Sequence, residues 1–363
     1  MSKKIIAFHL LNNFTGSPKV LRSVIDCLSN EGYSIELYTN NSIGFLTGLE
    51  NVNYHKNFYF RSNLKLITLF NFIFSQIYIF LKLIFSIRDS KNVIFYVNTI
   101  LPFSAILFAR LKGIKVITHV HEFEIKPKIL NNFLFYIVNK FSSRIILVSK
   151  FLEINHKNIN SKINVIHNKV DQIFEKESVS LEKVKAELFN ILMLTSLRPY
   201  KGIQEYISLS KKIPDALFTL VLSESIDDVN KYFINIELPK NIKIFSKQDN
   251  VLPFYKRADL VVNLTRKDEC IETFGLTILE AMFLGVPVIV PTVGGITELV
   301  DDGLNGYLID SNDLDSLILK INDIKSDPVL WKKLSLNALN KSSEFSSNVF
   351  NSKIIQLVSS LDK

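Results

Sequence analysis

Short, continuous apolar runs alternate with amphipathic stretches of helical length along most of the chain. In the first half the runs fall at residues 5–10, 33–38, 93–97, 116–120 and 145–148. Helical patterns at 19–29, 103–111 and 130–141 lie between them. Strands that are apolar on both faces and joined by helices predict a parallel sheet covered on both sides. The rhythm stops at 172–187, where apolar runs give way to charge and a linker is expected. It then restarts with strands at 191–195, 217–222, 242–245, 260–264 and 286–290. Helical patterns at 203–211, 227–234, 251–257 and 276–284 intervene, and three more follow at 313–324, 328–339 and 349–361. The reading is α/β: two Rossmann-like, doubly wound domains at 1–172 and 188–345, facing a central cleft. The last helix, 346–363, is expected to pack back toward the first domain. Sheets of this kind take their ligands at the carboxyl ends of the strands.

One segment departs from the rhythm. Residues 64–87 (LKLITLFNFIFSQIYIFLKLIFSI) are long and apolar enough to span a bilayer. Lys65, Asn71, Ser75, Gln76 and Lys82 interrupt them at spacings that suit a partly wet helix. A single span would also place neighbouring strand–helix units on opposite sides of a membrane. The segment therefore reads as a core helix or one that dips into a membrane surface, with Arg61, Lys65, Lys82, Arg88 and Lys91 beside it.

Composition narrows the classes. At 363 residues, two domains are the prior. A hydrophobic share of 47% with 12 Gly and 10 Pro excludes a low-complexity chain. Cys27 and Cys270, far apart, do not suggest a disulfide framework. The start of the chain reads as a first strand rather than a signal peptide, so a cytoplasmic setting is expected. Residues 1–171 carry 21 Lys+Arg against 9 Asp+Glu, whereas the remainder carries 22 against 26. That asymmetry fits an anionic membrane surface facing the first half, or a plain compositional bias. No nucleic-acid motif accompanies it.

The densest chemistry lies at 269–310. Glu272 and Glu280 stand eight positions apart, with Phe274-Gly275 between them and Gly294-Gly295 beyond. On one helix they would sit about 12 Å apart at ~1.5 Å per residue. That exceeds the carboxyl spacing of retaining glycosidases (about 5–5.5 Å) and of inverting ones (about 6.5–9.5 Å). It suits the two hydroxyl-rich ends of a nucleotide sugar, with the diphosphate at the Gly-opened helix start. Earlier, Arg198 and Lys201 lie between a strand end and Gly202, where a guanidinium fork and a compact ammonium can hold a diphosphate.

These stretches carry a family likeness. LTSLRPYKGI (194–203), the run 258–309, RIILVSKFLEIN (144–155) and INVIHNKVD (163–171) resemble a retaining glycosyltransferase of family 4, with the GT-B fold. NNFTGSPKVL (12–21) is a weaker match. The resemblance implies that Arg198 and Lys201 contact the donor diphosphate, that Glu280 binds the ribose, and that Glu272 approaches the sugar. The amides around Phe274, Gly275, Leu276 and Thr277 would lie near sugar and phosphates. It also implies a sugar-side histidine, His121 by position with His119 as the alternative, and close passage of the donor at Gly16. Two departures stand out: the first glycine-rich loop is reduced to Gly16-Ser17, and the usual Asn-Gly-Val-Asp reads Asn168-Lys169-Val170-Asp171.

The expected reaction is transfer of a sugar from a UDP- or GDP-sugar to a saccharide or polyprenyl-linked acceptor, with retention. The setting would be surface polysaccharide assembly (lipopolysaccharide or capsule), on the inner face of the cell membrane. No metal or other cofactor is expected, because Asp313-Leu314-Asp315 reads as the acidic first turn of a helix. A nucleotide-sugar epimerase of the same fold and a non-catalytic sugar-nucleotide-binding protein are the alternatives.

Overall fold

The structure, a computed structural model, describes residues 3–62, 64–156, 162–177 and 187–361. The chain forms two compact units, Met1–Asn168 with Asn348–Lys363, and Lys169–Ser347.

The first unit holds seven strands: β1 (Lys4–Phe8), β2 (Ser34–Asn40), β3 (Val52–Asn57), β4 (Val93–Asn98), β5 (Lys115–Val120), β6 (Arg144–Leu147) and β7 (Ile163–Val165). All neighbours pair in parallel, in the order β3-β2-β1-β4-β5-β6-β7. The second unit holds β8 (Asn190–Thr195), β9 (Leu217–Leu222), β10 (Ile242–Phe245), β11 (Leu260–Val262), β12 (Val288–Val290) and β13 (Gly306–Leu308). These too are parallel, ordered β10-β9-β8-β11-β12-β13. Both sheets are doubly wound, and the winding reverses between β1 and β4 and between β8 and β11. At such reversal points the loops diverge to opposite faces and leave room for a ligand.

The buried strand runs and the edge strand β10 locate as the pattern predicts, whereas β3, β7 and β13 at the other edges do not. In β3 (VNYHKN) only Asn57 is buried, so there is no continuous apolar run to read. β7 and β13 are three residues each, below the length at which a period can be seen. The charged segment at 172–187 is not wholly linker. Gln172–Glu177 forms a helix whose Phe174 is buried with its ring 5.6 Å from that of Tyr255. Its acids are taken up by the Ser347 amide and Lys256. The rest of that segment, 178–186, lies outside the described residues.

The core of the second unit explains its local order. Tyr206, on helix Ile203–Lys212, is fully buried, and its hydroxyl lies 2.7 and 2.9 Å from the carbonyls of Ile191 and Thr219. Asn190 is buried too. Its amide group joins the Arg257 carbonyl and the Thr219 hydroxyl at 3.0 and 2.8 Å, which fixes where β8 begins. Asp313 precedes helix Leu314–Ser326, and its carboxylate accepts the Ser316 amide at 3.1 Å, so the Asp-Leu-Asp run is an N-cap.

Candidate functional site

In the second unit, the loops leaving β8 and β11 are joined at the reversal point. After β8 the chain makes a single 3₁₀ turn, Pro199–Lys201, and then passes through Gly202 at φ +78°. A Cβ on Gly202 would lie 2.1 Å from the Leu264 carbonyl oxygen, so only glycine permits this approach. The Arg266 amide donates to the Tyr200 carbonyl at 2.8 Å, and the Arg266 side chain is paired with Glu205 and Glu269. This clasp carries Lys201 to Glu272. Their ammonium and carboxylate form a close ion pair, each about one-fifth exposed. Thr265 Oγ1 adds a hydrogen bond to the same carboxylate at 3.0 Å.

Burial by itself would push the Glu272 carboxyl up. The charge and hydrogen bond of Lys201, with hydrogen bonds from Thr265 and Asn263, outweigh it and hold the group below its ordinary value. Burial likewise works against the Lys201 ammonium, and Glu272 again reverses the sign, leaving it above the usual range. Both groups therefore stay charged near neutral pH. Cys270 lies half-buried near this pair, with its thiol pushed up by burial.

Glu272 precedes the helix rather than sitting on it. The helix is Leu276–Phe283, opened by Gly275 at φ +104°, so the one-helix spacing of the two glutamates does not apply. A Cβ on Gly275 would meet Ile296 Cγ1 at 2.6 Å, and one on Gly294 would meet the Glu272 carbonyl at 2.4 Å. The two glycines let the 294–299 turn pack against the helix start. Glu280 lies in the second turn, buried, with Oε2 accepting from the Tyr255 hydroxyl at 2.7 Å. The same hydroxyl reaches the Thr277 carbonyl at 3.1 Å. Phe274 is buried with its ring 5.9 Å from that of Phe345, so only its backbone faces the helix start. Arg198 is exposed, and no ion pair of its side chain occurs among the described residues.

In the first unit a second cluster forms where β1, β4 and β5 end. His121 Nε2 lies 2.9 Å from Asn98 Oδ1. The Asn98 amide nitrogen lies 3.0 Å from both the Ser17 carbonyl and His9 Nδ1. With its NH₂ directed there, Asn98 presents its oxygen to His121, so Nε2 carries the proton in the neutral ring. His119 is fully buried, its Nδ1 2.8 Å from the Tyr96 hydroxyl, and its ring centroid is 4.4 Å from that of His121. His119 Nε2 has no hydrogen-bond partner among the described residues. Of the two, His121 is the one that is only partly buried.

Burial lowers all three histidines: His9 to about 4, His119 to about 3, and His121 well below its ordinary value, aided by its two histidine neighbours. Glu122 is pushed by burial up to about 7, against hydrogen bonds from the amides of His121 and Ile100. Gly16 opens helix Gly16–Asn30 and is exposed. The loop before it is pinned by buried Asn12, whose side chain bonds Ser42, Thr47 and the Leu46 amide at 2.8–3.0 Å.

Sequence reasoning singled out Lys201, Glu272, Glu280 and Gly275, and the structure gathers them in one unit. Arg198 is on the same loop as Lys201 but stands in solvent. The sequence reading missed Thr265, Asn263, Tyr255, Asn98 and His9. A polar residue directly after a buried strand was the available signal for Asn98, His9 and Asn263.

Residues 174–341 match the family model described as glycosyl transferases group 1. Among curated relatives, N-acetyl-alpha-D-glucosaminyl L-malate synthase of Bacillus anthracis is 29% identical over 190 residues, 49% of this chain and 48% of that protein. The UDP-Gal:alpha-D-GlcNAc-diphosphoundecaprenol alpha-1,3-galactosyltransferase of Escherichia coli is 29% identical over 261 residues, 64% of this chain and 66% of its own. The aligned stretch thus spans about half of the first relative and about two thirds of the second. Anabaena HepE, solved with UDP and glucose, superposes with a TM-score of 0.77 at 19% identity, covering 99% of this chain and 100% of that one. A sucrose-phosphate synthase from Thermosynechococcus elongatus gives a TM-score of 0.81 at 16% identity, with 99% of each chain covered. The fold is GT-B, and residues 174–341 form a group 1 glycosyltransferase domain.

Proposed function

We propose, on the premise that the chain carries a group 1 glycosyltransferase domain, that it moves a sugar from a nucleoside-diphosphate donor to an acceptor hydroxyl with retention. The acceptor is a saccharide or a lipid-linked saccharide, and the setting is surface polysaccharide assembly. The observation that carries this reading is the Lys201–Glu272 pair, held beside Thr265 at the carboxyl ends of β8 and β11. A charge pair at a sheet's reversal point, ahead of a helix start, is suited to a ligand with both phosphate and hydroxyl groups.

In this reading Lys201 and Arg198 meet the diphosphate, whose negative charge grows as the glycosidic bond breaks. Arg198 closes on the donor from solvent. Glu272 accepts hydrogen bonds from the sugar, Glu280 from the ribose, and the amides at Gly275–Thr277 face the phosphates. His121, its Nε2 proton directed to Asn98, keeps Nδ1 as an acceptor for a sugar hydroxyl. No carboxylate is placed here as a covalent nucleophile, so attack comes from the face the diphosphate leaves, with a phosphate oxygen taking the acceptor's proton. The Escherichia coli relative, whose name states a UDP-galactose donor and a diphosphoundecaprenol acceptor, supports a UDP-sugar and a lipid-linked acceptor.

The test is direct. UDP- and GDP-sugars are screened for a rise in melting temperature, since a ligand held only by the native state stabilises it. The stabilising donor is then incubated with polyprenyl-diphosphate saccharides, and the new anomeric centre is read by NMR. Donor stabilisation with an α-linked product from an α-donor supports the reading. An isomerised donor without acceptor would establish the epimerase instead.

A further inference from the structure

Helix Lys65–Ser86 of the first unit is inside out. Its buried side chains include Ser75 and Gln76, with Phe72, Ile79 and Leu83. Its outward face shows Leu66, Phe70, Ile73, Phe74, Ile77 and Phe85, with Phe70 and Phe85 77% and 79% exposed. A helix on a water-facing surface carries the reverse pattern. The inward polar groups are used: Gln76 Oε1 accepts the Ser104 amide at 3.2 Å, and the Ser75 hydroxyl donates to the Phe72 carbonyl at 2.7 Å. The one charge within the helix after its first residue, Lys82, turns back from the apolar face. Its ammonium bonds the Lys56 carbonyl at 3.1 Å and lies over the rings of Tyr38 and Tyr78.

The apolar surface continues sideways. Phe103 places its ring 5.9 Å from that of Phe72 and 5.2 Å from that of Phe133, which links this helix to helix Lys128–Phe141. There Ile129, Phe133 and Tyr136 are exposed. A contiguous apolar surface of this kind marks an interaction site. Its charge selects the occupant. Residues 56–91 contain six Lys or Arg and a single acid, Asp89. Arg61 and Lys65 are exposed toward one end of the helix, and Lys56, Arg88 and Lys91 toward the other.

We infer that this face lies in the interface of an anionic bilayer, with the helix parallel to the membrane plane. Apolar side chains then reach the acyl boundary while the basic ends meet lipid headgroups. A second copy of the chain would bring the same positive ends against one another. A spanning orientation would take Gln76 away from the Ser104 amide and open the layer the helix closes. The inference does not depend on the reading of the donor site.

The test uses the full chain and sedimentation with vesicles of phosphatidylcholine, alone or mixed with phosphatidylglycerol. The chain is expected to pellet with the mixed vesicles, and salt is expected to weaken this. Each of Arg61→Glu, Lys65→Glu and Arg88→Glu should lower partitioning at least about fivefold, the loss expected from one basic residue near the surface. The triple variant Phe70→Ser, Phe74→Ser, Phe85→Ser should abolish it while keeping the wild-type circular dichroism and cooperative thermal unfolding. Phe70→Trp and Phe85→Trp, about 22 Å apart along the helix at ~1.5 Å per residue, should be quenched to the same extent by shallow brominated lipid. Unequal quenching would overturn the in-plane orientation. Failure to pellet with either vesicle, or a dimer that the triple variant dissolves, would overturn the membrane surface itself.

Discussion

The carboxyl ends of the two sheets carry opposite chemistry on the same scaffold. At the end of β8 and β11 the second unit keeps a full ion pair, Lys201 with Glu272, charged despite burial because each partner offsets the other's desolvation. At the ends of β1, β4 and β5 the first unit keeps three histidines uncharged and a carboxyl raised to about 7, because there burial prevails and no ion pair of these groups occurs among the described residues. One end is suited to an ionic ligand and the other to hydroxyl groups. The difference does not come from residue type alone, since both ends contain glutamate. It comes from whether a lysine is brought within reach.

The sharpest way to break the contrast is Lys201→Ala. It strands the Glu272 carboxylate and removes a cation from the diphosphate position, and kcat/KM should fall about 10²–10³-fold, measured with the stabilising donor. Wild-type turnover would end the assignment.

Acid should separate the two ends. The three histidines titrate near 6.5 when unfolded and lower when folded, so the unfolded chain binds more protons below that pH. Their stability contribution is therefore lost as pH falls from 6.5 toward about 4 and 3. Glu122, raised from 4.5 to about 7, works the other way and gains stability over 7 to 4.5. Three lowered histidines against one raised carboxyl make the net effect of acid on this end destabilising. The Glu272 contribution, from a lowered carboxyl, is present above 4.5 and is lost only as pH falls further. Hydrogen exchange between pH 6.5 and 4.5 should thus show β1, β4 and β5 weakening before β8 and β11. The reverse order would contradict the contrast.

Gly202→Ala forces a Cβ onto the Leu264 carbonyl and a side chain into positive φ, and should cost about 1–3 kcal/mol by urea denaturation. Donor stabilisation should fall further than for an exposed helix substitution such as Gln204→Ala. Asn98→Ala removes the side-chain hydrogen bonds to the Ser17 carbonyl, His9 Nδ1 and His121 Nε2, at about 1–2 kcal/mol. Its kcat should fall with little change in donor melting shift if the first unit's end serves hydroxyl recognition. The smallest effect is Tyr255→Phe, which removes one hydrogen bond to Glu280, about 1 kcal/mol, read as a slightly weaker donor melting shift.

The fold was largely legible because its central strands are buried on both faces. β4, β5 and β9 announce themselves as unbroken apolar runs, whereas β3 alternates polar residues at an edge and hides. Helix Gln172–Glu177 was concealed by its charge, because its one buried side chain is Phe174 and its acids are taken up by the Ser347 amide and Lys256. In the site, Lys201, Glu272 and Gly275 could be read because their spacing is local and their chemistry is distinctive. Asn98 and His9 were less legible, because their meaning arises from strands adjacent in space and not in sequence. His9 and Asn98 are 89 positions apart and become neighbours only when β1 pairs with β4.

The clasp between the Pro199–Lys201 turn and the 264–266 loop rests on backbone: a glycine against a carbonyl and an amide to a carbonyl. Exposed side chains of these loops that take no part in the Arg266–Glu205 and Lys201–Glu272 pairs can therefore be exchanged without loosening the joint. Asp268 is exposed outside it, and descendants of this chain could alter that position to favour a different sugar or base while inheriting Arg198, Lys201 and Glu272 in register. Laboratory libraries confined to that outer position should accordingly yield altered donor preference among variants that still fold.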